Sequence, residues 1–286
     1  MSDILNEDFF NDIKSSEQKN NFDLLVNYLC SKPVYNYEKL VNRQEPEKEV
    51  KISTNSFFDK LYEVLKLFLD DDNYNATMDI INNRSEFKDS NYFDGFARIY
   101  DLQTNPILKI EGMHTYAAVS GTVHELMHLL QAFSNNNPPK QYNEVLSIFL
   151  ELVVLDYFSR KNNNKDIFNN HLINRVINRM SNRVYTDYFF DDNYSVFKNM
   201  LESKYTYFLG FIYALRMYDL YKDRPSLILE QINLMLKSKN TLKIFLDNYQ
   251  INLSNFDTLN SFYNICDKYE ELVYEKYGSN NIHFVK

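Results

Sequence analysis

The chain has 286 residues but only 5 Gly, 6 Pro and no Trp, and its formal net charge is −8. Hairpin-rich all-β folds need more glycine than this, and no G-x-G sequence is present to build a dinucleotide-binding turn. Because 44% of the residues are hydrophobic and 16% are aromatic, the chain can bury a large core, which excludes global disorder.

The net charge and the number of cysteines indicate which partners and which cell compartment to expect. An acidic chain without a long run of like charges argues against nucleic acid or an anionic membrane as a partner. No apolar run approaches the roughly eighteen residues of a membrane span, and the acidic N-terminus is unlike a secretory signal. Two cysteines, Cys30 and Cys266, are too few for a disulfide framework or a cysteine zinc site. We therefore expect a cytoplasmic protein without nucleic-acid or membrane partners, and the sequence leaves its oligomeric state open.

Apolar residues follow a helical spacing over most of the chain. One stripe runs from Phe22 to Leu29 and stops before Pro33, and a second runs from Phe57 to Phe68. The second stripe is expected to end at the acidic run that begins with Asp70. Further helices are predicted near 114–134, 140–160, 165–188, 193–203, 205–222, 226–238, 241–248 and 256–276.

The spacing changes in residues 91–112, which contain two short apolar runs, Phe96–Tyr100 and Ile107–Ile110. A turn-like segment separates the two runs, so they predict a single two-stranded β unit in a mainly α-helical protein. The change in pattern also divides the chain into an N-terminal helical region, 1–90, and a second region, 91–286.

The second region contains the sequence His-Glu-Leu-Met-His at 124–128. Residues four apart lie on one helical face, so the imidazoles of His124 and His128 can share one zinc ion. Glu125 is rotated away from that face, where it can flank the ion and act as a general base. Random placement would give this motif in about one of two hundred such chains. The competing interpretation is that both histidines are buried helix residues that pair with carboxylates.

A zinc site of this kind needs a third protein ligand, and Glu144 is the candidate. It lies beyond an Asn-rich, Pro-Pro loop that lets the second helix turn back toward the first. The alternative is that Glu144 is simply exposed at a helix end. Glu151 lies two turns further along an almost wholly apolar helix, where a carboxylate is costly unless it is bound or paired. It either orients a histidine ligand through the distal ring nitrogen or forms a plain salt bridge, and both interpretations stay open.

Together these residues resemble the thimet oligopeptidase and oligoendopeptidase F family of zinc metallopeptidases, and the resemblance covers roughly 92–276. The motif at 124–128 matches the family's H-E-x-G-H pattern, except that Met127 stands where the family usually has Gly. The sequence Glu-Val-Leu-Ser at 144–147, followed by Glu151, is similar to the family's second zinc helix.

Two further segments extend the resemblance. The segment 106–108 is similar to the family's substrate-binding edge strand, which predicts that a peptide pairs near 107–110. A tyrosine-rich segment before Gly210 is similar to the one in which a Tyr hydroxyl supports the oxyanion of the tetrahedral intermediate. Tyr207 is the first candidate for this role and Tyr205 the second, although either could be an ordinary core residue.

The resemblance implies a helical, zincin-like metallopeptidase fold with a short β-ribbon at the edge of the cleft. It implies one Zn²⁺ held by His124, His128 and Glu144, with Glu125 as general base and a peptide as substrate. Only about ninety residues precede the strands, fewer than in the family, so the cleft is expected to be more open. Two other functions remain possible at this stage, an endopeptidase specific for one protein and an inactive zinc-binding protein that recruits a partner.

Overall fold

A computed structural model describes residues 16–32, 34–35, 50–90, 93–134, 142–173, 194–238, 241–277 and 282–283. The described part is mainly α-helical, which confirms the predicted class. No helix in these ranges is both long and apolar enough to cross a membrane. The helices are α1 (Ser16–Cys30), α2 (Thr54–Phe68), α3 (Asp71–Asn83), α4 (Tyr116–Phe133), α5 (Val145–Lys161), α6 (Asp166–His171), α7 (Tyr194–Asp223), α8 (Pro225–Lys237), α9 (Thr241–Asn248) and α10 (Phe256–Tyr277).

The helical predictions are confirmed in most places and wrong in two. The predicted break near residue 204 is absent, because α7 is one continuous helix and no Gly or Pro interrupts it there. Helix α3 was not predicted; it begins directly after Asp70, which caps it by accepting a hydrogen bond from the Asn73 backbone N–H at 3.0 Å. The predicted helical residues 174–188 and 140–141 lie outside the described residues.

Five short strands form two small sheets in the described part. Strands β1 (Val34–Tyr35) and β5 (Ile282–His283) pair antiparallel. Strands β2 (Ser85–Lys88), β3 (Asp94–Ala97) and β4 (Leu108–Glu111) form a mixed sheet in the order β2–β4–β3.

The mixed sheet corrects two expectations. It has three strands instead of two, because strand β2, which lies before residue 91, pairs parallel with β4. Strand β4 is therefore the central strand, with β3 antiparallel on its other side, so segment 107–110 cannot add a peptide by backbone pairing. The edge strand that packs against α4 is β3.

The helical core is built around α5, which packs against α4 on one side and α7 on the other. Helix α10 packs on α7, and α1 packs on α10. Helix α2 packs on α4, and strand β2 pairs with β4. Elements before and after the sequence boundary at 90/91 therefore share one helical interface and one sheet. The site residues on α4 and α5 are consequently fixed by the most buried part of the molecule.

Candidate metal centre

Helix α4 presents the two histidines from a buried position. Its first turn is capped by Thr115, whose hydroxyl accepts a hydrogen bond from the Ala118 backbone N–H at 3.0 Å, a contact worth about 1 kcal/mol. His124 is 2% exposed and His128 is 8% exposed. Met127 is wholly buried in the hydrophobic core.

The structure brings His124, His128 and Glu144 together in one cluster. Glu144 immediately precedes α5, and its side chain is 13% exposed, so it is not a free helix end. The two Nε2 atoms of His124 and His128 are 3.2 Å apart. Glu144 Oε2 lies 3.3 Å from His124 Nε2 and 3.5 Å from His128 Nε2.

These three distances match one face of a zinc coordination tetrahedron. Zinc–nitrogen and zinc–oxygen bonds of about 2.0–2.1 Å place neighbouring ligand atoms of a tetrahedron about 3.3–3.4 Å apart. Glu144 Oε2 is buried and makes no hydrogen bond of ordinary geometry among the described residues, although two ring nitrogens lie beside it. Two imidazoles and one carboxylate also form a donor set that suits zinc. The residues present therefore fit a zinc ion.

The charges around the cluster move the pKa values of Glu144 and His124 in opposite directions. Burial raises the pKa of the Glu144 carboxyl, but interactions with His124 and His128 lower it by more, so Glu144 stays a carboxylate. Burial lowers the pKa of His124, whereas Tyr207, Glu144 and Glu151 raise it, with a net value well above the usual one. A metal ion binds only the neutral imidazole, so zinc at His124 would require that ring in its neutral form.

A second layer of contacts surrounds the two histidines. Glu151 is 1% exposed, and its Oε2 lies 3.2 Å from His124 Nδ1. The same carboxylate reaches His171 through its other oxygen, with 3.1 Å between Glu151 Oε1 and His171 Nε2. The Ser147 hydroxyl lies 3.3 Å from both ring nitrogens of His128. A carboxylate therefore faces the distal nitrogen of His124, and a hydroxyl lies beside the His128 ring.

The Tyr207 side chain reaches the cluster. Its hydroxyl lies 3.3 Å from His124 Nε2, and its ring stacks on the imidazole at 6.1 Å between centroids. Tyr205 belongs to the same helix, α7, but its side chain lies outside the described part.

Glu125 occupies the space between α4 and the edge strand β3. A Cβ atom added to Gly95 would lie 3.2 Å from Glu125 Cγ, so the glycine backbone and the Glu125 side chain are in close contact. The side chain of Glu125 is partly buried. The general-base candidate is thus bordered by β3, and the strand lies along the same side of α4 as Glu125.

Gly210 on α7 allows this helix to approach Glu144. A Cβ atom at residue 210 would lie 2.7 Å from Glu144 Cβ and 3.3 Å from its backbone carbonyl carbon. We expect Gly210→Ala to weaken zinc binding about tenfold. Overpacking of this kind costs about 1–3 kcal/mol, and about 1.4 kcal/mol corresponds to tenfold in a dissociation constant. Competition with a chelating dye measures the change.

Gly121→Ala is the matched comparison, because its added methyl group meets the Phe93 ring instead of a ligand. Zinc affinity should change less in Gly121→Ala than in Gly210→Ala. Equal affinity in Gly210→Ala and wild type would contradict the tight approach of α7 to Glu144.

Two other histidines are placed differently. His114 lies away from the cluster, where its Nε2 is 2.5 Å from Asp89 Oδ1 and its Nδ1 is 3.4 Å from the Thr54 hydroxyl. His171 has no ligand spacing in the sequence and was missed, although it contacts Glu151. The only sequence signal for it is a buried carboxylate, Glu151, that needs more than one partner.

Comparison of the chain with protein-family models, with curated proteins and with solved structures finds no match.

Proposed function

We propose that the protein is a zinc-dependent metallopeptidase that hydrolyses peptide bonds of peptides, with one Zn²⁺ held by His124, His128 and Glu144. The observation that carries this proposal is the triangle of ligand atoms with edges of 3.2, 3.3 and 3.5 Å, formed by His124, His128 and Glu144. The resemblance to the oligoendopeptidase F family supports it. The two isolated cysteines support a reducing, cytoplasmic setting.

Zinc bound at these residues would activate a water molecule and polarise the scissile carbonyl. The chain supplies the proton transfers. Glu125 accepts a proton from the attacking water and returns it to the leaving amine. The Tyr207 hydroxyl is within reach of the same position and donates a hydrogen bond to the developing oxyanion.

Substrate binding is best supported at strand β3. Among the described residues, β3 pairs only with β4, so its outer backbone edge is available to an extended peptide. Gly95 lies in the middle of this strand and next to Glu125. A peptide paired with β3 would therefore pass beside the general base, and backbone pairing would give weak sequence selectivity.

We expect Tyr207→Phe to lower kcat by about 10²–10³-fold with little change in KM, the cost of removing one oxyanion donor. Tyr205→Phe should leave kcat near the wild-type value. Steady-state kinetics on one fluorogenic peptide measures both variants. The opposite ranking would transfer the role to Tyr205, and wild-type kcat in both variants would remove tyrosine from the mechanism.

The proposal is tested by incubating the zinc-loaded full chain with a peptide library and, separately, with a cell extract. Cleavage is read by mass spectrometry, before and after removal of the metal with a chelator. Cleavage of many peptides that stops with the chelator and returns with zinc supports a peptidase. Cleavage of one intact protein alone would favour a dedicated endopeptidase, and zinc binding without any cleavage would favour an inactive, partner-recruiting protein. Either of these results would overturn the proposal.

A further inference from the structure

We propose that His171 is a positioning residue of the metal centre, which holds Glu151 in the orientation that keeps His124 aimed at the metal. This inference rests on the proposed metal site. It adds His171, which contacts Glu151 and lies on a helix outside the zinc motif. No sequence spacing connects His171 with the ligands, and only the folded chain brings it there.

The geometry is a buried imidazole–carboxylate–imidazole chain. Glu151 Oε2 lies 3.2 Å from His124 Nδ1, and Glu151 Oε1 lies 3.1 Å from His171 Nε2. The exposed fractions are 2% for His124, 1% for Glu151 and 5% for His171. Each carboxylate oxygen therefore faces one ring nitrogen.

His171 is not itself a ligand of the proposed ion. Within the described residues, the group whose ligand atoms lie within 4.8 Å of one another consists of His124, His128 and Glu144. The Nε2 atom of His171 lies 3.1 Å from Glu151 Oε1 instead. The role left for this ring is to act through the carboxylate.

The contact between Glu151 and His171 is important because both side chains are buried. An ionised carboxylate with almost no solvent contact is costly unless both oxygens have partners. When His124 Nε2 binds a metal, its Nδ1 carries the hydrogen and donates it to Glu151. The second oxygen then needs a donor, and His171 Nε2–H supplies it. Without that donor, the Glu151 carboxylate is held less firmly, and the contact that sets the His124 ring orientation is weakened.

The local fold holds His171 in this position. It is the last residue of α6, a short helix that packs against both α5 and α4. The neighbouring residues Phe168 and Leu172 are buried in the core. Glu151 projects from the middle of α5, so three helices, α4, α5 and α6, hold the side chains of His124, Glu151 and His171 in contact.

The test compares His171→Leu, which has no donor, with His171→Gln, whose amide can still donate to Glu151. Zinc affinity of each full-length variant is measured by competition with a chelating dye. We expect His171→Leu to lose about 10–100-fold in affinity, the usual effect of removing an outer partner of a metal ligand. His171→Gln should recover most of that loss. The absorption spectrum of the Co²⁺-loaded protein should shift in His171→Leu, because the ligand ring is less well oriented, and return in His171→Gln.

A double-mutant cycle shows whether His171 acts through Glu151. In a Glu151→Gln background, His171→Leu should have much less effect on zinc affinity than in the wild type. His114→Gln is the control for a histidine outside the site and should bind zinc as the wild type does. If His171→Leu does not fold, His171→Asn takes its place, since its shorter amide does not reach Glu151 in the same way.

The outcomes separate this inference from the proposed function. Wild-type zinc affinity and an unchanged Co²⁺ spectrum in the donor-free variant would overturn the positioning role while leaving the metal site intact. An undiminished effect in the Glu151→Gln background would also overturn it. Failure of the wild-type chain to bind zinc would overturn the metal site itself.

Discussion

Replacing Glu125 by Gln is expected to lower kcat/KM for peptide hydrolysis by about 10²–10⁴-fold, the usual contribution of a general base. Zinc affinity should stay unchanged, because Glu125 lies beside β3 and outside the ligand triangle. Gln has the same shape and fits the same space next to Gly95, but it cannot accept a proton. Kinetics on a fluorogenic peptide and a zinc competition assay measure the two properties independently.

Glu230→Gln is the matched control for this prediction, since Glu230 is exposed on α8 and lies outside the proposed site. It should leave both activity and zinc affinity as in the wild type. Full activity in Glu125→Gln would contradict the general-base role. A parallel loss of zinc in Glu125→Gln would instead make Glu125 part of the metal-binding set.

The second large effect is expected for Glu144→Gln, which should raise the zinc dissociation constant by about 10²–10³-fold. Four-ligand zinc sites bind with about 10–16 kcal/mol, so one ligand contributes roughly 2.5–4 kcal/mol. Gln keeps the volume of the side chain but removes the charge that interacts with the two imidazoles. Peptidase activity should fall with the metal content and return only at high zinc concentration.

The control for Glu144→Gln is Glu271→Gln on α10, an exposed carboxylate outside the cluster. Circular dichroism on both variants checks that the helical content is retained. Unchanged zinc affinity in Glu144→Gln would contradict the assignment of Glu144 as the third ligand.

The inner part of the candidate site could be predicted from the sequence because its information is local. His124, Glu125 and His128 lie within two turns of one helix, where spacing alone sets which side chains share a face. Glu144 could be predicted because an Asn-rich, Pro-Pro sequence precedes it and the following helix is strongly apolar. A carboxylate such as Glu151 is conspicuous in that apolar helix for the same reason.

The outer part depends on contacts between distant segments, which spacing does not encode. His171 meets Glu151 because α6 folds back onto α5, and Ser147 meets His128 across the interface of α4 and α5. Neither contact leaves a pattern in the local sequence. For the same reason the sequence did not predict that β4 is the central strand, since its partner β2 comes from the region before residue 91.

Helix α3 shows a different reason for failure. Two of its buried positions are polar, Asn73 and Thr77, so the apolar stripe is broken. The Asn73 amide donates to Asn233 Oδ1 at 3.0 Å, and the Thr77 hydroxyl donates to the Tyr74 carbonyl at 2.7 Å. Side chains satisfied in this way can replace apolar residues in a buried face, and a hydrophobic pattern does not detect them.

The scarce glycines are concentrated where side chains would obstruct the site. Gly95 faces Glu125, Gly210 faces Glu144, and Gly121 accommodates the Phe93 ring one turn before His124. Each position allows a strand, a helix or a ring to approach a site element closely. Three of the five glycines of the chain therefore lie where elements of the candidate centre approach one another closely.

The most direct measurement is an anomalous difference map at the zinc absorption edge, from crystals of the full chain grown with one equivalent of zinc. The structure predicts a single strong peak between His124 Nε2, His128 Nε2 and Glu144 Oε2, at about 2.0–2.2 Å from each of them. A peak at other residues, or none between these three atoms, would contradict the metal centre on which the proposed function depends.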